Sequence, residues 1–258
     1  MRKTISTIAL LTVITLLALS DISHAETLSE QVCSHISNMI EGQEVSPKVA
    51  YPFGVPAASP LLSEFYEGRG FRPAWSDDFG PSPDAEDFLE VIRSAYREGL
   101  NPQDYHLDKI EAVLSDLYAS QMGLGTYDLV KLADLDLTLT QAFFLYASHL
   151  ANGRVDHRNI YPDWVVDRES ADLTALLSEA VDSGDMQNTL ADLAPHYSKY
   201  VKLREELINY RAIAESGGWP NVPGGPKLMK GSRGKRVAIL RQRLIASETL
   251  LQWRRETL

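Results

Sequence analysis

A single cysteine in 258 residues leaves no pair from which a disulfide framework could be built. Beyond residue 25 no apolar run approaches the roughly 20 residues that a membrane-spanning helix needs. Basic residues are the minority, 25 Lys and Arg against 35 Asp and Glu, and the resulting net charge of −10 argues against a general nucleic-acid binder. Serine nucleophile elbows, phosphate-binding glycine loops and zinc signatures are all missing. What is present, 44% hydrophobic and 23% charged residues, is the composition of a water-soluble globular chain of one or two domains.

The amino terminus stands apart. Arg2 and Lys3 give a positive start, Ile8 to Leu19 form an apolar run, and Ser23-His24-Ala25 sets small residues at −3 and −1 of a cleavage point before Glu26. These features predict a secretory signal peptide over residues 1–25 and delivery to the periplasm or beyond. Cys33 follows Glu30-Gln31-Val32, which lacks the small apolar residues that precede a lipoprotein cysteine, so no lipid anchor is expected. A lone thiol in an oxidising compartment reads as an unpaired residue on a short helix.

Helical punctuation recurs through the rest of the chain, and no strand alternation interrupts it. Ser59-Pro60 and Ser82-Pro83 each place a capping residue before a proline suited to the first helical position. The first of these precedes Leu61, Leu62, Phe65 and Tyr66; the second precedes Leu89, Ile92 and Tyr96, with Gly99 as the stop. Leu107, Ile110, Leu114 and Leu117 mark the next helix. Residues 128–151 are apolar most of the way round, as expected of the central, buried helix of a bundle. Ser170 is the expected cap of a helix that Gly184 ends, and Tyr200, Leu203, Leu207 and Tyr210 mark the last long helix of the body. The predicted fold is therefore an all-α bundle.

Residues 219–231 then gather prolines and glycines into a linker, and Val237, Leu240 and Leu244 mark one further, isolated helix. From Lys227 onward nine basic residues meet two acidic ones, a balance of +7. With the leader removed, the body that precedes this tail carries −18. The tail helix is expected either to dock on the acidic body or to fray, because residues 227–258 are too few for an independent domain.

No residue set reads as a reaction centre. Cys33 and His35 are about 200° apart on a helix, so the pair does not make a nucleophile and its base. His106, His149, His157 and His196 lack metal-ligand spacing. Asp134 and Asp136 fall on different faces of the apolar helix, which argues against a glycosidase carboxylate pair and for contacts at the surface or with a neighbouring element. Phe65, Tyr66, Phe71 and Trp75 could stack on sugar rings, but a cluster around a helix end reads first as core. The sequence assigns no catalytic, cofactor or metal residue and singles out no substrate-binding one.

Several blocks nevertheless resemble one family. Residues 65–75 (FYEGRGFRPAW), 97–105 (REGLNPQDY), 135–143 (LDLTLTQAF), 149–155 (HLANGRV) and 210–220 (YRAIAESGGWP) are similar to the N-terminal scaffold of the large Gram-negative murein L,D-transpeptidases. Residues 228–244 resemble the opening of the peptidoglycan-binding module that follows it in those enzymes. The resemblance implies a signal peptide (1–25), an N-terminal helix and linker (26–56), a helical scaffold domain (57–218), a Pro/Gly linker (219–231) and an incomplete peptidoglycan-binding module (232–258). It also implies a periplasmic chain tied to cell-wall crosslinking, with peptidoglycan or another cell-wall protein as partner and no cofactor. Family members form 3-3 crosslinks with the cysteine of a Ser-His-Gly-Cys motif, which is absent from these residues. The expected chain is thus a truncated, non-catalytic scaffold; the rival expectations are an active transpeptidase and a decoy that binds a full-length paralogue.

Overall fold

The structure, a computed structural model, describes residues 26–42, 60–155 and 171–247. Among these, nine α-helices follow in order: α1 (Leu28–Gly42), α2 (Pro60–Gly68), α3 (Pro83–Ser94), α4 (Leu107–Leu124), α5 (Leu129–Asn152), α6 (Leu173–Ser183), α7 (Met186–Ala191), α8 (Ser198–Glu215) and α9 (Lys235–Ala246). Two 3₁₀ turns, Ala95–Glu98 and Pro102–Tyr105, link α3 to α4. The fold is all-α, as the helical punctuation predicts. A two-residue hairpin is the only strand structure among the described residues: β1 (Ser76–Asp77) pairs antiparallel with β2 (Gly80–Pro81), Ser76 facing Pro81 and Asp77 facing Gly80.

α5 is the axis of the bundle. Asp128 starts it by accepting from the backbone N–H groups of Val130 and Lys131, which satisfies two donors that a helix start leaves unpaired. Its apolar residues occur on every side, and α1, α2, α3, α4 and α6 all pack against it. Val32 and Ile36 bring α1 fully into this core, so the helix that the sequence sets apart from the scaffold lies against α5. Phe65, Tyr66, Trp75, Phe88 and Phe143 fill the centre, with Trp75 stacked on Phe88 at 5.2 Å and Phe65 edge-on to Tyr66 at 5.1 Å. The aromatic cluster is core, as expected; Phe71 packs half-buried on its margin.

Three local readings need correction. Ser82 does stand at the N-cap of α3, ahead of Pro83, but its hydroxyl makes no capping bond; Ala85 N–H, the donor it would take, binds the Ser82 carbonyl instead. The cap of α6 is Asp172, which accepts from Ala175 N–H, and Ser170 lies outside the described residues, as does Ser59. The third correction concerns α8. It forms where expected, yet none of its residues is buried, and Leu203 is 69% exposed. α8 reaches the body through Tyr200, half-buried against the core, and through polar contacts: Tyr200 and Arg204 reach Glu98, and the Arg211 guanidinium lies 5.4 Å from the centre of the Tyr96 ring.

The tail helix α9 is formed, and among the described residues no ion pair joins it to the body. Arg236 donates to the carbonyls of Pro223 and Pro226, Arg243 sits over Trp219 at 4.4 Å, and the Trp219 indole N–H donates to Ala246. Trp219 in turn lies edge-on to Tyr210 of α8. The ion pairs seen among the described residues all lie within the body.

Candidate functional site

A groove runs across one end of the bundle, where the 3₁₀ turn Ala95–Glu98, the end of α5, α7 and the start of α8 meet. It consists of two neighbouring hollows, about 460 Å³ and about 350 Å³, that share Glu98 and Leu150. Gly99, in the left-handed conformation at φ 78°, ends the 3₁₀ turn and lets the chain fold back so that Glu98 faces the groove. Asn101 caps the next turn through Gln103 N–H, which sets Asp104 and Tyr105 beneath the end of α5.

The polar groups of this end hold one another in place. Tyr200 donates to one Glu98 oxygen at 2.6 Å and Arg204 reaches the other at 2.6 Å. Tyr105 and His149 Nδ1 share a hydrogen bond of 2.8 Å, and Arg154 pairs with Asp104 at 3.0 Å. Burial, followed by the nearby Arg154, pushes the His149 pKa down, while Asp104 pulls it back up. Burial and the neighbouring Glu98 carboxylate raise the pKa of both Tyr146 and Tyr200, which keeps these phenols protonated. The result is a polar-rimmed groove with paired charges.

A family model described as a scaffold domain matches residues 60–207. The chain belongs to this scaffold family. The match runs from α2 into α8 and therefore takes in every residue of the groove. Comparison with curated proteins and with solved structures finds no match.

The scaffold is held together internally by a second polar centre, around Asp136. Its carboxylate is buried and accepts from Ala74 N–H at 2.9 Å, Trp75 N–H at 2.9 Å and the Tyr66 hydroxyl at 2.7 Å. Thr140, one turn on, accepts from the Trp75 indole at 2.9 Å and lies 2.7 Å from the Tyr66 hydroxyl. Burial pushes the Asp136 pKa up, against the three donors and the Arg69 charge, which pull it down. Asp134, two residues earlier, points to the surface and pairs with Lys109 at 3.0 Å. Both carboxylates thus behave as the sequence suggests: one faces a neighbouring element, the other the surface.

The remaining candidates are scattered. The Cys33 thiol donates to the Gly70 carbonyl at 3.4 Å, tying α1 to the turn after α2. His106 occupies the left-handed N-cap of α4 at φ 61°, and His196 sits exposed near the Asp192 carbonyl. His157 lies outside the described residues. Among the described residues no three His, Cys, Asp or Glu side chains gather as a metal site. The groove was not legible in the sequence, although its two motif blocks were: Arg97–Tyr105 and His149–Val155 meet there through the Tyr105–His149 and Asp104–Arg154 contacts.

Proposed function

We propose that this chain is the non-catalytic scaffold portion of a periplasmic murein L,D-transpeptidase and acts in the crosslinking and remodelling of peptidoglycan. The observation that carries the reading is the convergence of the resembling blocks within the matched scaffold. Residues 65–75 meet residues 135–143 through Asp136, and residues 97–105 meet residues 149–155 around the groove. Blocks scattered along the sequence would be coincidental; blocks that form two shared hydrogen-bond centres describe one scaffold. The position of Cys33 supports the non-catalytic part, because its thiol is committed to a backbone carbonyl and no Ser-His-Gly-Cys motif occurs in these residues.

In this role the scaffold does no bond-making chemistry. It offers a rigid surface that places the wall polymer or a catalytic partner, and its export follows from the leader expected at residues 1–25. Sedimentation with isolated sacculi tests the reading. The purified chain should pellet with sacculi and stay in the supernatant without them. A chain that remains soluble at every sacculus concentration, and that retains no full-length transpeptidase in a pull-down, would remove the cell-wall assignment.

A further inference from the structure

The groove has a lining that selects among ligands. The charged residues of its lining, Glu90, Glu98, Arg97 and Arg154, sum to zero, and Glu98 and Arg154 are already paired with Arg204 and Asp104, so it offers no uncompensated charge cluster to a phosphate, a nucleotide or a polyanion. Between these charges the exposed Tyr197 and the half-buried Tyr200 and Pro195 stand over a floor of buried Tyr146, Leu100 and Leu150. Tyr197 is 63% exposed at the mouth and stands edge-on to Tyr200 with ring centres 6.1 Å apart, so its ring is available to a ligand. Each hollow falls within the few hundred Å³ typical of small-ligand sites.

Aromatic faces alternating with planar hydrogen-bonding groups are what a pyranose ring requires. One side of the ring presents C–H groups that pack on an aromatic face, and its rim presents hydroxyls that bind carboxylates and guanidinium groups in pairs. We propose that this groove binds a neutral oligosaccharide of N-acetylated amino sugars, with Tyr197 as the stacking platform and Glu98 and Arg154 as the hydroxyl and amide partners. Two adjoining hollows suit consecutive sugar residues of one strand. Glu98 is already fixed by Tyr200 and Arg204, and the His149 ring by Tyr105, so the ligand meets side chains that lose little freedom on binding. The depressed His149 pKa keeps that ring uncharged near neutral pH, in line with an uncharged ligand. The inference deepens the peptidoglycan reading: it assigns the glycan strand, rather than the peptide stem, to this surface.

Titration of the purified chain with chitotetraose, followed by ¹H–¹⁵N chemical-shift mapping, tests it. Saturable binding is expected, with the shifts grouped around Glu98, Leu150 and Tyr197. Tyr197→Ala should weaken the affinity about tenfold. Phe79→Ala, an exposed aromatic on the hairpin, should leave it unchanged. Arg154→Gln gives an independent check at the opposite wall and should also weaken binding. No saturable binding, shifts located elsewhere, an affinity indifferent to Tyr197→Ala, or preferential binding of D-alanyl-D-alanine would each overturn the proposal. If the chain pellets with sacculi but ignores chitotetraose, the groove assignment falls and the scaffold reading stands. If it does neither and also retains no full-length transpeptidase, both fall.

Discussion

The Tyr66 hydroxyl donates to the Asp136 carboxylate at 2.7 Å across 70 residues of sequence, and the same carboxylate holds the Ala74 and Trp75 amides. One buried acid therefore joins the end of α2, the turn after it and the axis of the bundle. Every partner donates, so the site calls for an acceptor on both oxygens.

That requirement makes Asp136→Asn a disruptive change despite its similar shape. The new amide nitrogen would face a backbone N–H, leaving a buried donor unsatisfied at a cost of about 1–3 kcal/mol. Thermal unfolding should show a lower Tm by roughly 2–12 °C, at about 2–4 °C per kcal/mol for a domain of this size. An unchanged Tm would mean that the acid does not clamp the turn.

The same group sets a pH dependence. Burial raises its pKa in the folded protein above the ordinary value of about 3.9, so the folded state keeps the proton to higher pH than the unfolded chain does. Its contribution to stability is greatest at low pH and declines as pH rises from about 4 through the raised value. Urea midpoints across that interval should show a component of this sign that disappears in Asp136→Asn.

His149 has the opposite sign. Its pKa is depressed by burial and Arg154, so its contribution is complete above the ordinary value of about 6.5 and is lost as pH falls through the folded value. NMR titration of the ring should give a midpoint below 6.5. A midpoint above 6.5 would show that Asp104, not burial, governs the site.

Gly80 is the most constrained glycine of the hairpin. Its φ of 121° suits glycine, and a methyl group there would come within 2.6 Å of the Tyr127 ring. Gly80→Ala should destabilise the scaffold by about 1–3 kcal/mol, through backbone strain and displacement of Tyr127. Denaturant unfolding of the variant measures this directly.

The bundle was legible because helical spacing is local: the apolar stretch read over residues 128–151 matches α5 (Leu129–Asn152), and the apolar surround of that helix announces its central place. Gly184 ends α6 as read, whereas Gly99 closes the 3₁₀ turn that follows α3, which itself stops at Ser94. Less was legible at α8, where Leu203 and Tyr210 keep helical spacing but stay exposed, because spacing records a face and not what covers it. The groove was invisible for a related reason. Tyr105 and His149 are 44 residues apart and each is unremarkable alone; only the packing of the 3₁₀ turns under α5 brings them together. Asp136 was half legible, as a carboxylate in need of a neighbour, but which neighbour it binds depends on the turn at Ala74 and Trp75.

In the proposed role the scaffold performs no transpeptidation of its own. Muropeptide analysis of sacculi incubated with the purified chain tests it most directly. The profile should be identical to that of untreated sacculi, both for the native chain and for Cys33→Ser. New 3-3 crosslinked dimers made by the native chain and lost with Cys33→Ser would contradict it.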